Sequence, residues 1–567
     1  MQSRRGKMTP NGALHGADKP IKRVAIIGGG PAGVVQAQQL LQVSEQQDCR
    51  YRFEPTIFER RANLGPGIWA CDRDAGPCNI LFDAGGRAYA RWDEKARRWP
   101  PGAMYEGLRT NLPVDLMTYR DTPFQEDARA PFPARKEVED YLRAFSEQVL
   151  AEGTRSGRCD VRLNTAVQNV VRTSASSEVG RSVWSVESCD LDSGHSATDL
   201  FDFIVLANGR CNVPSLPPID GLWNFKGRRI LHSAWYRTPW EFGDDRRVVV
   251  VGNMSSGMDI ARELSGWVVR TNDDFEKRDE WVEKVKGGRG PQVINSIEDM
   301  TKPPAMDYDP LDPHSPDWSR SIRVVPRIAR IEEDGAIVLE DGQTLEDIDA
   351  IVFATGFYAQ YEFIDHSQEP FASQPLVLRP RPVLEPSRGQ PPALQSWIQE
   401  KQGGEPFSLR QPAASGPSNL DDWYLFYEPD RSLAILGLPT ATVPFPMTHV
   451  QSHFVASYWG GMASTLPALD RELMQNDPTR WKAVIRPEEA KSRGPNTGPM
   501  PLIFGSESEP FYIGEYKHKS VLRLLLLTHA IVLAVRLHQM LCFRTYQEQA
   551  VSHPGSKPYS KWPSLWL

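Results

Sequence analysis

The stretch Val24-Ala25-Ile26-Ile27-Gly28-Gly29-Gly30-Pro31-Ala32-Gly33 decides the fold. Four small apolar residues read as a buried strand, the glycines as a tight turn, and Val34 to Leu41 as the helix that follows. The same order recurs at Val248-Val249-Val250-Val251-Gly252-Asn253-Met254-Ser255-Ser256-Gly257, with Met258 to Leu264 after it. A strand, a glycine turn and a helix N-terminus bind pyrophosphate for a physical reason. Glycine lets the backbone approach the phosphates, and the positive helix end points N–H groups at the anion. Two such units predict an α/β protein with two Rossmann-like domains, holding two dinucleotides face to face. Gly28, Gly30, Pro31, Ala32 and Gly33 are candidate ligands in the first; Gly252, Ser255, Ser256, Gly257 and Asp259 are those in the second.

Outward from the first turn, Pro55-Thr56-Ile57-Phe58 reads as the next strand and ends at Glu59. An acidic residue there is placed to bind a ribose hydroxyl. A helix with apolar positions at Val138, Tyr141, Leu142 and Phe145 follows, and then a strand at Phe203 to Leu206. After the second unit, Ile351-Val352-Phe353-Ala354-Thr355-Gly356 brings the chain back. Strand, turn and return imply that the second domain is inserted into the first. The expected organisation is a tail over 1–20, a first domain over 21–214 and an inserted domain over 215–350. The first domain resumes over 351–470, with an excursion at 366–419, and a C-terminal extension covers 471–567. Asp273 to Lys286 reads as a helix with a solvated, charged face.

A chain of 567 residues with 40% hydrophobic content can fill two or three cores. Net charge of −7 with scattered basic residues excludes a nucleic-acid arm. The seven cysteines form no CxxC pair, which fits a reducing compartment better than a disulfide framework or a zinc site. Met1 to Lys22 has no apolar core of a secretory signal, so the expected location is cytoplasmic. Val521 to Phe543 is apolar but carries Arg523, His529, Arg536 and His538. The run between its arginines is about a dozen residues, short of the ~20 that span a bilayer. That leaves a packed helix or a peripheral membrane contact through 521–543. His449 and His453 share a helix face but lack a third ligand, and no metal site is expected.

Between these landmarks the chain resembles the flavin-containing monooxygenases, their fungal members in particular, over about residues 22–465. The resemblance rests on Met104-Tyr105-Glu106-Gly107-Leu108-Arg109-Thr110-Asn111-Leu112-Pro113, on Asp121-Thr122-Pro123-Phe124, and on Phe225-Lys226-Gly227 with His232-Ser233-Ala234-Trp235-Tyr236. It continues at Phe353-Ala354-Thr355-Gly356-Phe357, Leu436-Gly437-Leu438-Pro439 and Pro444-Phe445-Pro446, with Gln451 beyond. The resemblance implies FAD in the first turn and NADPH in the second. It implies insertion of one oxygen atom from O2 into a nitrogen or sulfur centre of a small organic molecule, through a flavin C4a-hydroperoxide, as in secondary-metabolite biosynthesis. It also implies flavin contacts for Arg60, Gly67, Ile68, Trp69, Thr110 and Gln451. Asn111 is placed beside the flavin and the nicotinamide, where an amide can donate and accept without titrating, and is the candidate catalytic residue. Two other readings stand beside this one. Baeyer–Villiger oxygenases of ketones carry Trp at the fourth residue after the motif histidine, where this chain has Tyr236. The other is a degenerate protein that binds FAD without turning over NADPH.

Three departures from the family pattern bear on the cofactors. Gly65-Pro66-Gly67-Ile68-Trp69 carries one inserted residue. Met254 replaces the middle glycine of the second turn, where a side chain would press on the pyrophosphate. Ser296-Ile297 stands where family members often carry Ser-Arg, whose guanidinium pairs with the 2′-phosphate. Arg237 is the candidate to supply that charge, and the expected preference for NADPH over NADH is modest.

Overall fold

The computed structural model describes residues 19–82, 86–92, 101–119, 122–124, 132–173, 182–268, 275–301, 308–358, 361–377, 417–421, 423–438 and 443–463. Most of the expected tail, the larger part of the 366–419 excursion and the whole 471–567 extension, with its apolar segment, lie outside the described residues.

Each β-branched run becomes a strand buried on both faces, as parallel sheets require. Ile21–Ile27 is the middle strand of a parallel sheet ordered Leu433–Ile435, Phe203–Leu206, Ile21–Ile27, Arg52–Phe58, Asp160–Arg162. Its alternate residues go to opposite cores. Val24 and Ile26 pack with Val34, Leu40, Leu142 and Val455 from the helices Pro31–Ser44, Arg135–Arg155 and Pro444–Trp459. Ala25 and Ile27 pack on the other side with Trp184, Phe201 and Tyr427.

The second parallel sheet is ordered Arg229–His232, Ala350–Phe353, Arg247–Val251, Gln292–Ser296, Arg323–Val325. The chain leaves the first domain at Val213–Pro214 and returns at Phe357–Tyr358, and these two crossings pair antiparallel. The insertion is therefore joined through a two-stranded neck. The boundary expected between 350 and 351 moves, because Ala350–Phe353 bridges Arg229–His232 and Arg247–Val251 and belongs to the second sheet.

Two further expectations are revised. Lys19, assigned to the tail, is buried and its Nζ donates to the carbonyls of Ser44 and Gln46 at 2.9 and 2.6 Å. The start of the excursion is core, with Phe371 and Leu376 buried among Trp184 and Tyr427. The charged helix Phe275–Lys286 has the expected exposed face and packs inward through Trp281, which is buried and whose Nε1–H donates to the Glu263 carbonyl at 2.9 Å. Among the described residues no helix is long and apolar enough to cross a membrane.

Candidate active site

The first glycine turn closes on itself. Gly28 N–H donates to the Phe58 carbonyl at 2.9 Å, and a Cβ on Gly33 would stand 1.9 Å from the Gly28 carbonyl oxygen. Pro31 occupies the first turn of the following helix, where its missing N–H costs nothing. That helix starts at Gly30 without a side-chain cap, which leaves its first N–H groups for an anion. Glu59 braces the turn. Its Oε2 accepts from Gly29 N–H at 2.8 Å and its Oε1 from Arg61 N–H at 2.9 Å, and each oxygen retains a second lone pair for a ribose hydroxyl. The inserted residue of the 65–69 loop is absorbed by Gly65 and Gly67, both at positive φ (105 and 52°). Gly65 N–H donates to the Gly29 carbonyl at 2.8 Å, and Ile68 and Trp69 complete a short helical turn beside the glycines.

Tyr119, which the sequence did not single out, assembles the wall of this site. Its hydroxyl donates to the Pro31 carbonyl at 2.9 Å, and its ring stacks on Phe145 and Phe445 at 4.2 and 5.4 Å. Phe445 in turn meets Trp69 edge-on at 6.4 Å. The same helix carries Gln451, which is buried; its Oε1 accepts from Gly437 N–H at 3.1 Å. Gln451 Nε2 has no partner among the described residues. A buried amide donor left unpaired costs roughly 1–3 kcal/mol, so this atom fits a bound acceptor such as a flavin carbonyl. Arg60 is half-buried, and its charge acts on the half-buried Glu362, whose carboxyl pKa is raised by desolvation and only partly held down by Arg60. His453 Nδ1 lies 2.9 Å from Gln39 Oε1, and His449 tilts against Tyr119.

The segment ending at Asn111 is tied to this wall through one buried arginine. Arg135 N–H donates to the Leu108 carbonyl at 2.9 Å, and its NH1 reaches the Trp69 carbonyl at 3.0 Å and Glu139 at 2.6 Å. Its NH2 faces Glu106 at 3.4 Å. Thr110 is buried, with N–H to the Pro133 carbonyl at 3.0 Å and Oγ1 to the Leu112 carbonyl at 2.7 Å. Asn111 itself is exposed at the end of this brace. The Arg135–Glu139 spacing was a signal available in the sequence; the partners Trp69 and Glu106 were not.

The second turn repeats the geometry: a Cβ on Gly257 would stand 2.1 Å from the Gly252 carbonyl oxygen. The helix Ser255–Leu264 begins at Met254, again without a side-chain cap. Met254 is 57% exposed, so its flexible side chain has room to swing aside from a pyrophosphate. Ser255 is exposed and Ser256 half-buried at the same helix end. Beside the turn lies a cavity of about 230 Å³, lined by residues that include Asn253, Asn295, Ile297, Asp309 and Leu311 and, among the described residues, no cation. Ser296 is spent on the Pro326 carbonyl at 3.0 Å.

Two expected cofactor ligands turn out to be engaged elsewhere. The Asp259 carboxylate is buried and accepts from Tyr105 and Arg262. Arg237 is buried, and its guanidinium donates to the carbonyls of Asp72, Ala234, Tyr236 and Gly102. Its fork is satisfied by backbone carbonyls, that of Gly102 among them. Arg237→Ala is accordingly expected to cost stability, roughly 3–5 kcal/mol for a buried charge with several carbonyl bonds. The NADPH-to-NADH ratio of kcat/KM should stay unchanged. Thermal melts and steady-state kinetics with both nicotinamides check this, and a ratio that collapses in the variant would restore the phosphate-binding role.

His232 sits at the neck. It is fully buried, its Nε2 is 2.9 Å from the Gly356 carbonyl, and its Nδ1 accepts from Ala234 N–H at 3.2 Å. That pattern assigns the neutral tautomer with Nε2–H donating. Burial lowers its pKa to about 3, partly offset by the Gly356 bond. The group thus stabilises the fold fully above ~6.5, its value in the unfolded chain, and the contribution is lost as pH falls from there toward 3. Between pH 7.5 and 5 the expected loss is about 2 kcal/mol. Denaturant titrations should show it, with a shallower slope in His232→Gln.

These two turns, the aromatic wall and the inserted second sheet meet their counterpart in known proteins. A model of flavin-binding monooxygenase-like proteins matches residues 83–273 and 318–379. The chain is similar to that family over these segments. The flavin-containing monooxygenase FMO GS-OX-like 2 of Arabidopsis thaliana is 27% identical over 462 residues, 80% of this chain and 77% of the relative. A thiol-specific monooxygenase of Saccharomyces cerevisiae is 25% identical over 434 residues, covering 76% and 75%. Among solved structures, an S-allyl-L-cysteine S-oxygenase from Allium sativum superposes with a TM-score of 0.53 at 23% identity, covering 84% of both chains. Tmm from Pelagibacter sp. strain HTCC7211 gives 0.52 at 19%, covering 83% of both. These last two carry the fold: two Rossmann-like domains, one inserted in the other. This monooxygenase is a flavoprotein that uses FAD and NADPH, with O2 and a small molecule as co-substrates.

Proposed function

We propose that this flavin-containing monooxygenase oxygenates a sulfur or nitrogen atom of a small organic molecule, with sulfur in a thiol or thioether as the preferred acceptor. For a thioether, the sulfur lone pair takes one oxygen atom of O2 to give a sulfoxide. NADPH is oxidised to NADP⁺, and the second oxygen atom leaves as water with the NADPH hydride and one proton. The bound flavin supplies the redox chemistry, accepting the hydride and activating O2. The observation that carries the reading is the name borne by a relative across three quarters of the chain, the thiol-specific monooxygenase of yeast.

The residues do the remaining work. The Gly28–Gly33 turn and its helix end receive the FAD pyrophosphate, Glu59 the ribose, and Gln451 Nε2 an acceptor on the ring. Trp69, Phe445 and Tyr119 keep water from that ring. The Gly252–Gly257 turn receives the NADPH pyrophosphate. Asn111 presents a neutral donor and acceptor to the reacting oxygen. Tyr236, where ketone oxygenases carry Trp, is buried and bonded to Glu263, and the neighbouring Trp235 donates to the Pro77 carbonyl at 3.1 Å. Both side chains are engaged within the fold, and Tyr at this position supports heteroatom chemistry over Baeyer–Villiger oxygenation.

The test is a panel of thiols, thioethers, tertiary amines and cyclic ketones incubated with enzyme, NADPH and O2. A product heavier by one oxygen, seen first with the sulfur compounds, is the expected result. Product from the ketones alone would overturn the reading. So would a flavin that NADPH fails to bleach without oxygen.

A further inference from the structure

Behind the Asn111 segment lies a buried polar cluster for which the oxygenation reading has no use. The Tyr105 hydroxyl donates to Asp259 Oδ2, and Arg262 NH2 donates to Asp259 Oδ1 at 2.5 Å. The Tyr236 hydroxyl donates to Glu263 Oε2 at 2.6 Å, and the two tyrosine rings meet edge to face at 5.7 Å. Tyr105 belongs to the 104–111 segment. Asp259, Arg262 and Glu263 belong to the helix that begins at the second glycine turn. The cluster thus joins the segment that ends in the candidate catalytic amide to the element that receives NADPH.

Glu263 is the unusual member. It has no solvent exposure, and its Oε1 has no hydrogen-bond partner among the described residues. That oxygen lies against Gly107: a Cβ on Gly107 would stand 2.0 Å from it. From the other side Trp281 holds the Glu263 carbonyl at 2.9 Å. Adjacent bonds stitch the same segment to the inserted domain, from Glu106 N–H to the Arg237 carbonyl at 3.1 Å and from Arg237 NH2 to the Gly102 carbonyl at 3.3 Å.

We propose that Glu263 is a positioning residue. Its carboxyl, wedged between Tyr236 and Gly107, seats the 104–111 segment against the NADPH-turn helix and so sets where Asn111 stands. The inference rests on the reading of Asn111 above. It has a pH consequence. Burial pushes the Glu263 carboxyl up to about 7; the Tyr236 hydroxyl holds it down, Asp259 pushes it up and Arg262 holds it down. Tyr105, from the segment itself, is kept protonated by burial and by Asp259. Trp281, from the charged helix, adds no titrating group. Below about 7 a neutral carboxyl lies against Gly107 without penalty. Above it, a second buried negative charge stands beside Asp259 with one oxygen unpaired, and the segment loosens. The sign for stability is the same: an acid raised above its unfolded value of about 4.3 stabilises less as pH rises from there to about 7, and the loss levels off beyond it.

Amide hydrogen exchange of residues 104–113 in the FAD-loaded protein tests the seat directly. Corrected for intrinsic rate, wild-type exchange at pH 8.5 should exceed that at pH 6 by about threefold or more, as local opening grows easier. Glu263→Gln should flatten this profile, and Tyr236→Phe, which removes the hydroxyl that holds the carboxyl down, should move its midpoint to higher pH. Gly107→Ala should exchange fast at both pH values. Peroxide released per NADPH, measured without substrate, should follow the exchange in each protein. A Glu263→Gln variant that keeps the wild-type profile overturns the proposal, as does a Gly107→Ala variant that exchanges like wild type. Exchange that behaves as expected while peroxide release stays constant would leave the seat standing and overturn the role given to Asn111.

Discussion

Gly30→Val protein is expected to purify folded and colourless, with the FAD lost. Gly30 has φ of −74°, a backbone conformation open to any residue, so valine brings no torsional strain. The nearest atom to an added Cβ is Gly67 Cα at 3.3 Å, a tight contact that the 65–69 loop can ease by a small shift. What valine blocks is the approach of the backbone to the pyrophosphate. Charge-assisted bonds from N–H groups contribute roughly 1.5–3 kcal/mol each. Losing two of them costs about a hundredfold or more in affinity. Gly33→Ala is the contrasting variant: its Cβ would meet the Gly28 carbonyl at 1.9 Å, so the turn itself must open and the fold should suffer with the binding. The ratio of flavin to protein absorbance, read beside far-UV circular dichroism, separates the two. A Gly30→Val protein with full FAD content would remove the first turn from the flavin site.

What was legible in the chain was local. Strand, glycine turn and helix lie within twenty residues of one another in each unit, and the closeness of Gly33 to Gly28, or of Gly257 to Gly252, is dictated by the turn alone. Glu59 was legible for the same reason, because the strand after a dinucleotide turn ends beside it. The neck was only half legible. Ala350–Phe353 looks like a return to the first domain, yet it completes the second sheet, since nothing in four apolar residues says which sheet they enter. Least legible were groups joined across more than a hundred residues. Tyr119 meets Phe445, Tyr105 meets Asp259, and Arg237 turns to Asp72, and no periodicity connects such pairs. The partners of Arg237 were illegible because a cation at the end of a motif reads the same whether it faces a phosphate or a set of carbonyls.

Asn111→Ala should be reduced by NADPH at the wild-type rate and yet lose product, releasing hydrogen peroxide in its place. The variant keeps the backbone that Thr110 and Arg135 anchor to Pro133 and Leu108, so the FAD and NADPH turns are untouched. Only the amide is removed from the exposed end of the segment. A single well-placed hydrogen bond in a water-excluded site contributes roughly 1–3 kcal/mol, which makes the loss of coupling about tenfold or more. The electrons are conserved: each NADPH that fails to oxygenate substrate reduces one O2 to hydrogen peroxide. Because an amide does not titrate, the defect should be the same factor at every pH, unlike that of Glu263→Gln, which changes the shape of the profile. Asn111→Asp, equal in size but charged, should be at least as uncoupled as the alanine variant. Stopped-flow reduction and peroxide assays across pH 6 to 8.5 decide the matter. Product and peroxide in wild-type proportion from Asn111→Ala would show that the reacting oxygen is positioned by some other residue.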